Sequence, residues 1–77
     1  MNDYEITNVI GIQIERTFTY HSPKDDQPER YVKLRDEAKN LAYLIVRNTP
    51  TSREQSLALT HLEEAIFYAN AAIARNE

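Results

Sequence analysis

The sequence predicts an all-α fold in which a short amino-terminal segment precedes an antiparallel hairpin of two long helices, with copies of the chain assembled into a homo-oligomer. Apolar residues recur at helical spacing over residues 28–48 and again over residues 51–76. Proline and capping residues mark the boundaries of both stretches. The second stretch is apolar on more than one side, and a chain of 77 residues cannot cover such a helix alone.

Length and composition favour one small domain over residues 1–77, divided into an arm and loop (1–27) and two helices (28–48 and 51–76). No apolar run approaches the roughly 18 residues of a membrane span, and the lack of cysteine fits a reducing compartment. A net charge of -3 disfavours general binding to DNA, RNA or anionic membranes, which needs many Lys and Arg residues. Asp3 and Glu5 stand where a secretory signal peptide would be basic.

The amino-terminal residues 1–23 carry the least regular pattern of the chain. Gly11 interrupts a series of β-branched residues that follows neither period 2 nor period 3.6. The series consists of Ile6, Val9, Ile10, Ile12 and Ile14. We interpret this part as a short helix followed by an extended segment.

The first long helix is predicted from Pro28 to about Asn48. Proline suits the first helical position, and Glu29 favours the positive helix end. Its apolar residues recur at helical spacing: Tyr31, Leu34, Ala38, Leu41, Ala42 and Ile45. The helix should end before Pro50, because the residue that precedes a proline is biased out of the helical region.

The second long helix is predicted to begin with a capping box formed by Thr51 and Glu54. A connection of about four residues makes the two helices antiparallel. One stripe contains Leu59, Leu62, Ile66, Ala69 and Ile73, a second contains Ala58, Ala65 and Ala72, and Phe67, Ala71 and Ala74 lie nearly opposite. This distribution indicates self-association. Asn70 projects near the main stripe, where we expect its amide to find a structural partner.

Two basic residues, Arg35 and Lys39, lie one turn apart on the first helix at the edge of its apolar stripe. Like charges at this spacing cost a helix a few tenths of a kcal/mol, and an anion between them would reverse that effect. They are therefore candidates for phosphate binding. The alternative is that both cover the apolar edge, or pair with Asp36, Glu37 or another chain.

Residues 16–24 interleave aromatic, basic and hydroxyl side chains in a predicted loop. An aromatic ring such as that of Tyr20 can stack on a base for about 1–3 kcal/mol, while Arg16, Lys24 and hydroxyls can meet phosphate. Tyr20 and Lys24 are therefore candidate nucleotide-binding residues. In the alternative interpretation, Phe18 and Tyr20 only attach the arm to the hairpin, which suits Phe18 better than Tyr20.

The start of the second helix offers a further candidate phosphate site. Free backbone amides and the positive end of the helix dipole attract anions there. Ser52 and Arg53 add a hydroxyl and a positive charge, although helix capping by itself also explains Thr51 and Ser52.

Catalytic chemistry finds little support in this sequence. His61 lies beside Glu63 and Glu64, but no second histidine is near and His21 belongs to the loop. Gly11 is the only glycine, which excludes a glycine-rich phosphate loop. We expect no catalytic residues, no bound metal and no cofactor.

Several phrases of the chain resemble the phage anti-CBASS cyclic-nucleotide sponge family, from about Arg16 to Glu77. The loop reads Phe-Thr-Tyr-His-Ser-Pro, and the first helix reads Pro-x-Arg-Tyr-x-x-Leu-Arg-x-x-Ala-Lys-x-Leu-Ala. The second helix reads Ser-Arg-Glu-x-Ser-Leu-Ala-x-Thr-x-Leu-Glu-Glu-Ala and ends with Tyr-Ala-Asn-Ala-Ala-Ile-Ala-Arg-Asn. Residues 1–15 match less well. At Phe67-Tyr68 the family would favour a tryptophan in the second position.

The resemblance implies a homohexamer in the host bacterial cytoplasm that binds cyclic dinucleotides, such as 3',3'-cGAMP, between protomers and cyclic trinucleotides at separate sites. Such a protein silences CBASS immunity by sequestering the messenger without cleaving it. The family's base-stacking aromatic falls on Tyr20, and its basic phosphate contact falls on Arg35 or Lys39, a choice that the sequence leaves open. A trinucleotide site would lie near Ser52, Arg53 or Arg75.

Two other classes of function compete with a nucleotide sponge. A helical-hairpin adaptor would use the same apolar surface for a protein partner, and it would not need the aromatic and basic loop to face a pocket. A small hydrolase would need a catalytic set that the sequence does not contain.

Overall fold

The computed structural model describes residues 4–77, which form three helices and no strand. They are α1 (Asn8–Phe18), α2 (Gln27–Asn48) and α3 (Arg53–Asn76). Only α2 and α3 pack extensively against each other, as an antiparallel hairpin, so α1 projects from the hairpin. The all-α prediction is confirmed for these residues. Residues 1–3 of the predicted amino-terminal segment lie outside the described part, and assembly into a homo-oligomer stays a prediction.

Helix α1 begins at a threonine cap and accounts for the short helix expected near the amino terminus. The Thr7 hydroxyl accepts a hydrogen bond from the Ile10 amide at 3.2 Å. The helix is apolar on several sides, and its exposed residues include Val9, Ile12 and Phe18. A helix with this distribution is normally buried on more than one side. Since its own hairpin does not bury it, α1 offers apolar surface to other molecules.

Helix α2 begins at Gln27, one residue before the expected start, with Pro28 in its first turn. At its other end the chain becomes extended at Thr49, as Pro50 requires of the residue before it. The Thr49 hydroxyl donates to the Ile45 carbonyl at 2.7 Å, and the side-chain amide of Asn48 donates to the Leu44 carbonyl at 2.7 Å. These side chains satisfy carbonyls that the end of a helix leaves free.

The predicted cap of α3 is wrong, because Ser52 and not Thr51 occupies the capping position. Ser52 has an extended backbone, with φ -167° and ψ 169°. Its hydroxyl accepts a hydrogen bond from the backbone amide of Gln55 at 3.1 Å. Helix α3 therefore begins at Arg53, two residues later than expected. The expected box between Thr51 and Glu54 is therefore displaced by one residue. Gln55 now follows the capping serine by three positions, and its side-chain amide donates to the Thr49 carbonyl at 3.1 Å.

The hairpin has no fully buried apolar side chain among residues 4–77. The predicted stripes are half-buried where the helices meet, as for Leu34 and Ile45 of α2 and Leu62 and Ile66 of α3, while Leu41 is exposed. A compact protein of 9.0 kDa would expose roughly 4,900 Å². This chain exposes 6710 Å². The excess is larger than the roughly 800 Å² that one partner contributes to a standard interface.

The last residue of the sequence ties the end of α3 to the start of α2. Arg30 donates to both carboxylate oxygens of Glu77, one of them at 2.8 Å, and it also pairs with Asp26 at 3.2 Å. The side-chain amide of Gln27 donates to the same Glu77 carboxylate at 3.2 Å. Hydrogen bonds from Arg30, and next from Gln27, lower the pKa of Glu77 to about 2, whereas the carboxylate raises the pKa of Arg30.

Acid should weaken the contacts that join Glu77 to Arg30 and Gln27 in a defined pH window. The pKa of Glu77 is lowered from 4.5 to about 2, so its contribution to stability is complete above about pH 4.5 and is lost as the pH falls towards 2. We expect the melting temperature, followed by circular dichroism, to fall over this window more in the wild type than in Glu77→Gln, which cannot titrate. Parallel curves for the two proteins would contradict the assignment.

Candidate functional site

A groove runs along the hairpin between α2 and α3, with a volume of about 540 Å³. We call it the hairpin groove. From α2 it is lined by Tyr31, Arg35, Ala38, Lys39 and Ala42, and from α3 by Leu59, Leu62, Glu63, Ile66, Phe67 and Asn70. Its floor is apolar. Its charged side chains are the two cations Arg35 and Lys39 and the carboxylate Glu63. The groove therefore carries local positive charge on a chain whose net charge is -3.

Helical spacing explains why Arg35 and Lys39 line the same groove. Tyr31, Arg35 and Lys39 follow one another at intervals of four residues, which places them on one face of α2. Among residues 4–77, neither cation forms an ion pair. The proposed pairing with Asp36 or Glu37 is therefore absent from this part of the chain, and both cations are free to meet an anion.

A second hollow, of about 400 Å³, adjoins the groove and contains Tyr20. We call it the loop hollow. Its walls are the segment around Thr17, Thr19, Tyr20 and His21 on one side and Ala71, Ala74 and Arg75 of α3 on the other. Tyr31 and Asn70 line both the groove and the hollow, so the two spaces adjoin at these residues. The structure thus brings Tyr20, Arg35 and Lys39 to one connected surface.

Tyr20 and Phe18 are each 81% exposed. Neither ring therefore attaches the amino-terminal arm to its own hairpin, and the alternative interpretation fails for both residues within one chain. An exposed ring on the wall of a hollow is accessible to a planar base.

Asn70 lies at the junction of the groove and the hollow. Its Oδ1 is inaccessible to solvent and has no hydrogen-bond partner among residues 4–77. The expected structural pairing of this amide is therefore wrong within one chain. An unpaired buried acceptor costs about 1–3 kcal/mol.

Lys24 lies outside both spaces. Its ammonium group donates to the Glu77 carbonyl oxygen at 2.9 Å, and its backbone amide donates to the Gln27 side chain at 3.1 Å. These contacts give Lys24 a structural role. Its predicted contact with phosphate stays a prediction.

Ser52 and Arg53 lie at the opposite end of the hairpin from Tyr20. The length of α3 between Ser52 and Asn70 corresponds to roughly 27 Å along the helix axis. Within one chain these residues cannot contact the same small ligand as Tyr20. Their predicted role in binding, which stays a prediction, therefore needs a separate site or another copy of the chain.

Substitutions at Ser52 separate capping from ligand binding. We expect Ser52→Ala to lower the free energy of unfolding by about 1 kcal/mol, because Gln55 loses its acceptor. Ser52→Asp should preserve the cap but repel phosphate. Equal nucleotide affinity in wild type and Ser52→Asp, measured by calorimetry, would remove Ser52 and Arg53 from the binding site.

Sequence reasoning misses the contribution of Tyr31 and His21 and places Arg75 only loosely. Apolar periodicity assigns Tyr31 to the stripe of α2, although its interval of four residues from Arg35 is an available signal. His21 and Arg75 line the loop hollow because the loop folds back over the end of α3. That contact joins residues far apart in the chain, and no local pattern marks it.

Comparison with known proteins identifies one family. A family model described as "Acb2/Tad1, hairpin domain" matches residues 11–74, which include most of α1 and nearly all of the hairpin. No curated protein and no solved structure matches the chain. Among residues 4–77, no group of three or more His, Asp or Glu residues could hold a metal ion, and no helix has the length and hydropathy that crossing a membrane requires.

Proposed function

Because the chain belongs to the Acb2/Tad1 hairpin family of anti-CBASS cyclic-nucleotide sponges, we propose that it binds cyclic oligonucleotides and sequesters them without cleaving them. The predicted family is thereby confirmed over residues 11–74, whereas the sequence places the resemblance at about residues 16–77. We further propose that the protein acts for a phage in the host bacterial cytoplasm. Blocking CBASS immunity is then the consequence of removing its second messenger.

One observation carries this proposal: an exposed tyrosine and two unpaired cations line two adjoining spaces on one surface. A cyclic dinucleotide offers two bases and two phosphodiesters in a closed ring. In the proposed complex, Tyr20 stacks on a purine, while Arg35 and Lys39 neutralise phosphodiester charge. The apolar floor of the hairpin groove favours the flat, weakly hydrated faces of the bases.

We also propose that the site is completed by another copy of the chain in a homohexamer. The groove and the hollow are open, and their residues are largely half-buried or exposed. The surface beyond that of a compact monomer is large enough for more than one interface per chain. A ligand held between protomers would be shielded from water, which strengthens its contacts with Arg35 and Lys39.

The proposed sponge has no catalytic role for its ionisable residues. His61 and Glu64, whose Nδ1 and Oε1 lie 3.6 Å apart, form an exposed pair one helical turn apart on α3. Neither residue lines the groove or the hollow. His21 does line the hollow, but none of the other residues that line it carries a carboxylate. We therefore propose that bound messenger remains intact, and that release restores it unchanged.

Calorimetry against a panel of nucleotides tests the proposed ligand class. We expect binding of 3',3'-cGAMP, and independent binding of a cyclic trinucleotide when the dinucleotide sites are filled. A linear dinucleotide of the same bases is the matched control and should bind more weakly, because it has only one phosphodiester and lacks the closed ring that fixes the two bases and the two phosphates. No heat with any cyclic ligand would overturn the proposal and favour an adaptor that uses the exposed apolar surface for a protein partner.

A further inference from the structure

Gln27 is the most deeply buried side chain among residues 4–77, with 3% of its surface exposed. Its position is unusual because apolar side chains of the same chain stay half-buried or exposed. A buried amide must have its hydrogen bonds satisfied. Gln27 meets this requirement with two partners that come from different parts of the chain.

The first partner belongs to the loop that carries Tyr20. Oε1 of Gln27 accepts from the backbone amide of Lys24 at 3.1 Å. The second partner is the end of α3, where Nε2 of Gln27 donates to the Glu77 carboxylate at 3.2 Å. Lys24 adds a third connection, since its ammonium donates to the Glu77 carbonyl at 2.9 Å. One side chain thus joins the two chain segments that continue from the walls of the loop hollow, beyond His21 and beyond Arg75.

The loop depends on these polar bonds because it lacks an apolar anchor. Phe18 and Tyr20 are largely exposed, so neither holds the loop against its own hairpin. The His21 ring lies 3.1 Å from the Arg16 carbonyl, which fixes the segment to α1. The Arg16 guanidinium in turn donates to the Asn76 side chain of α3, at the longer distance of 3.4 Å. Among the described residues, the bonds around Gln27 and Glu77 are the ones that hold the loop itself to the hairpin directly, whereas the contact between Arg16 and Asn76 acts through α1.

We propose that Gln27 and Glu77 form a clamp that positions Tyr20 over the loop hollow and thereby sets the affinity of the nucleotide site. This inference rests on the proposed function. Neither residue touches the ligand, since neither lines the hollow or the groove. Both are positioning residues, and the clamp acts by keeping the loop wall and the α3 wall at a fixed separation.

A reciprocal exchange of the two side chains tests the clamp. Gln27→Glu places two carboxylates together and removes the donor to Glu77. Affinity for 3',3'-cGAMP, measured by calorimetry at neutral pH, should fall roughly 5- to 100-fold. The double variant Gln27→Glu with Glu77→Gln keeps an acceptor for the Lys24 amide and restores a donor and acceptor pair. It should recover most of the lost affinity.

The position of Tyr20 gives a readout that a general loss of stability would not reproduce. With 3-fluorotyrosine placed at position 20, we expect one narrow ¹⁹F resonance in the wild type and in the double variant. Gln27→Glu should broaden or shift it while the helical circular dichroism spectrum is retained. If a buried carboxylate at position 27 prevents folding, Glu77→Ala replaces Gln27→Glu as the variant that breaks the clamp. The side chain of Glu77 is 41% exposed, so we expect the fold to tolerate its removal.

The outcomes separate this inference from the proposed function. If the wild type binds the dinucleotide, but Gln27→Glu and Glu77→Ala bind it equally well with an unchanged ¹⁹F resonance, the clamp is refuted and the sponge is not. A lower affinity without any recovery in the double variant would also refute the clamp. If the wild type binds no cyclic nucleotide, both proposals fail.

Discussion

Glutamate in place of Ala65 is expected to break the proposed hexamer into smaller species. Ala65 is exposed on α3 and belongs to the row of small residues that includes Ala58 and Ala72. We propose that this row packs against another copy of the chain, where close approach of helices needs small side chains. An unpaired charge buried there would cost several kcal/mol. Light scattering should give a hexamer of 9.0 kDa chains for the wild type and a much lower mass for Ala65→Glu.

A charge on another face of the same helix provides the control. Glu64 is an exposed charged residue of α3, away from the alanine row and from the apolar stripe, and Glu64→Lys should leave the mass unchanged. Equal masses for wild type and Ala65→Glu would show that the row is not an interface. A wild-type chain that remains monomeric at micromolar concentration would contradict the oligomer itself.

Removal of the Tyr20 ring is expected to weaken nucleotide binding by about 1–3 kcal/mol, or roughly 5- to 150-fold. Tyr20→Phe should lose much less, because the ring that stacks on a base remains. The fold should tolerate both changes, since the residue is 81% exposed. Tyr4→Ala is a matched control because Tyr4 is similarly exposed, at 84%, and lies outside both the groove and the hollow.

The basic residues should differ from Tyr20 in their response to salt. Arg35→Ala and Lys39→Ala should each lower the affinity and flatten its dependence on salt concentration, because each removes a charge that meets phosphate. Lys33→Ala is the control, since Lys33 occupies the opposite face of α2 and lines neither the groove nor the hollow. Unchanged affinity in the Tyr20, Arg35 and Lys39 variants would place the binding site elsewhere.

Local signals are sufficient to locate the helices. Pro28 and Pro50 restrict the backbone directly, and the spacing of apolar residues repeats at every turn, so both signals act within a few residues. They cannot decide between Thr51 and Ser52 as the cap of α3. Both side chains can accept a bond from the first turn, and the extended backbone at Ser52 follows from the path of the whole connection after Pro50.

The candidate site is only partly predictable for the same reason. Arg35 and Lys39 share a face of α2 because of helical geometry, which the sequence displays. The junction of their groove with the Tyr20 hollow depends on the loop lying beside the end of α3. Contacts such as that between Lys24 and Glu77 join positions 53 residues apart. No period or motif encodes a contact of that range.

Equilibrium dialysis followed by chromatography of the bound fraction tests the central claim, which is sequestration without cleavage. The protein is dialysed against 3',3'-cGAMP for hours, with and without divalent metal, and the retained nucleotide is released by heat denaturation. We predict that the protein retains the ligand and that all of it returns as the intact cyclic species. Linear or mononucleotide products formed only by active protein would contradict the claim and direct attention to His21, His61 and Glu64, and failure to retain the ligand would contradict it equally.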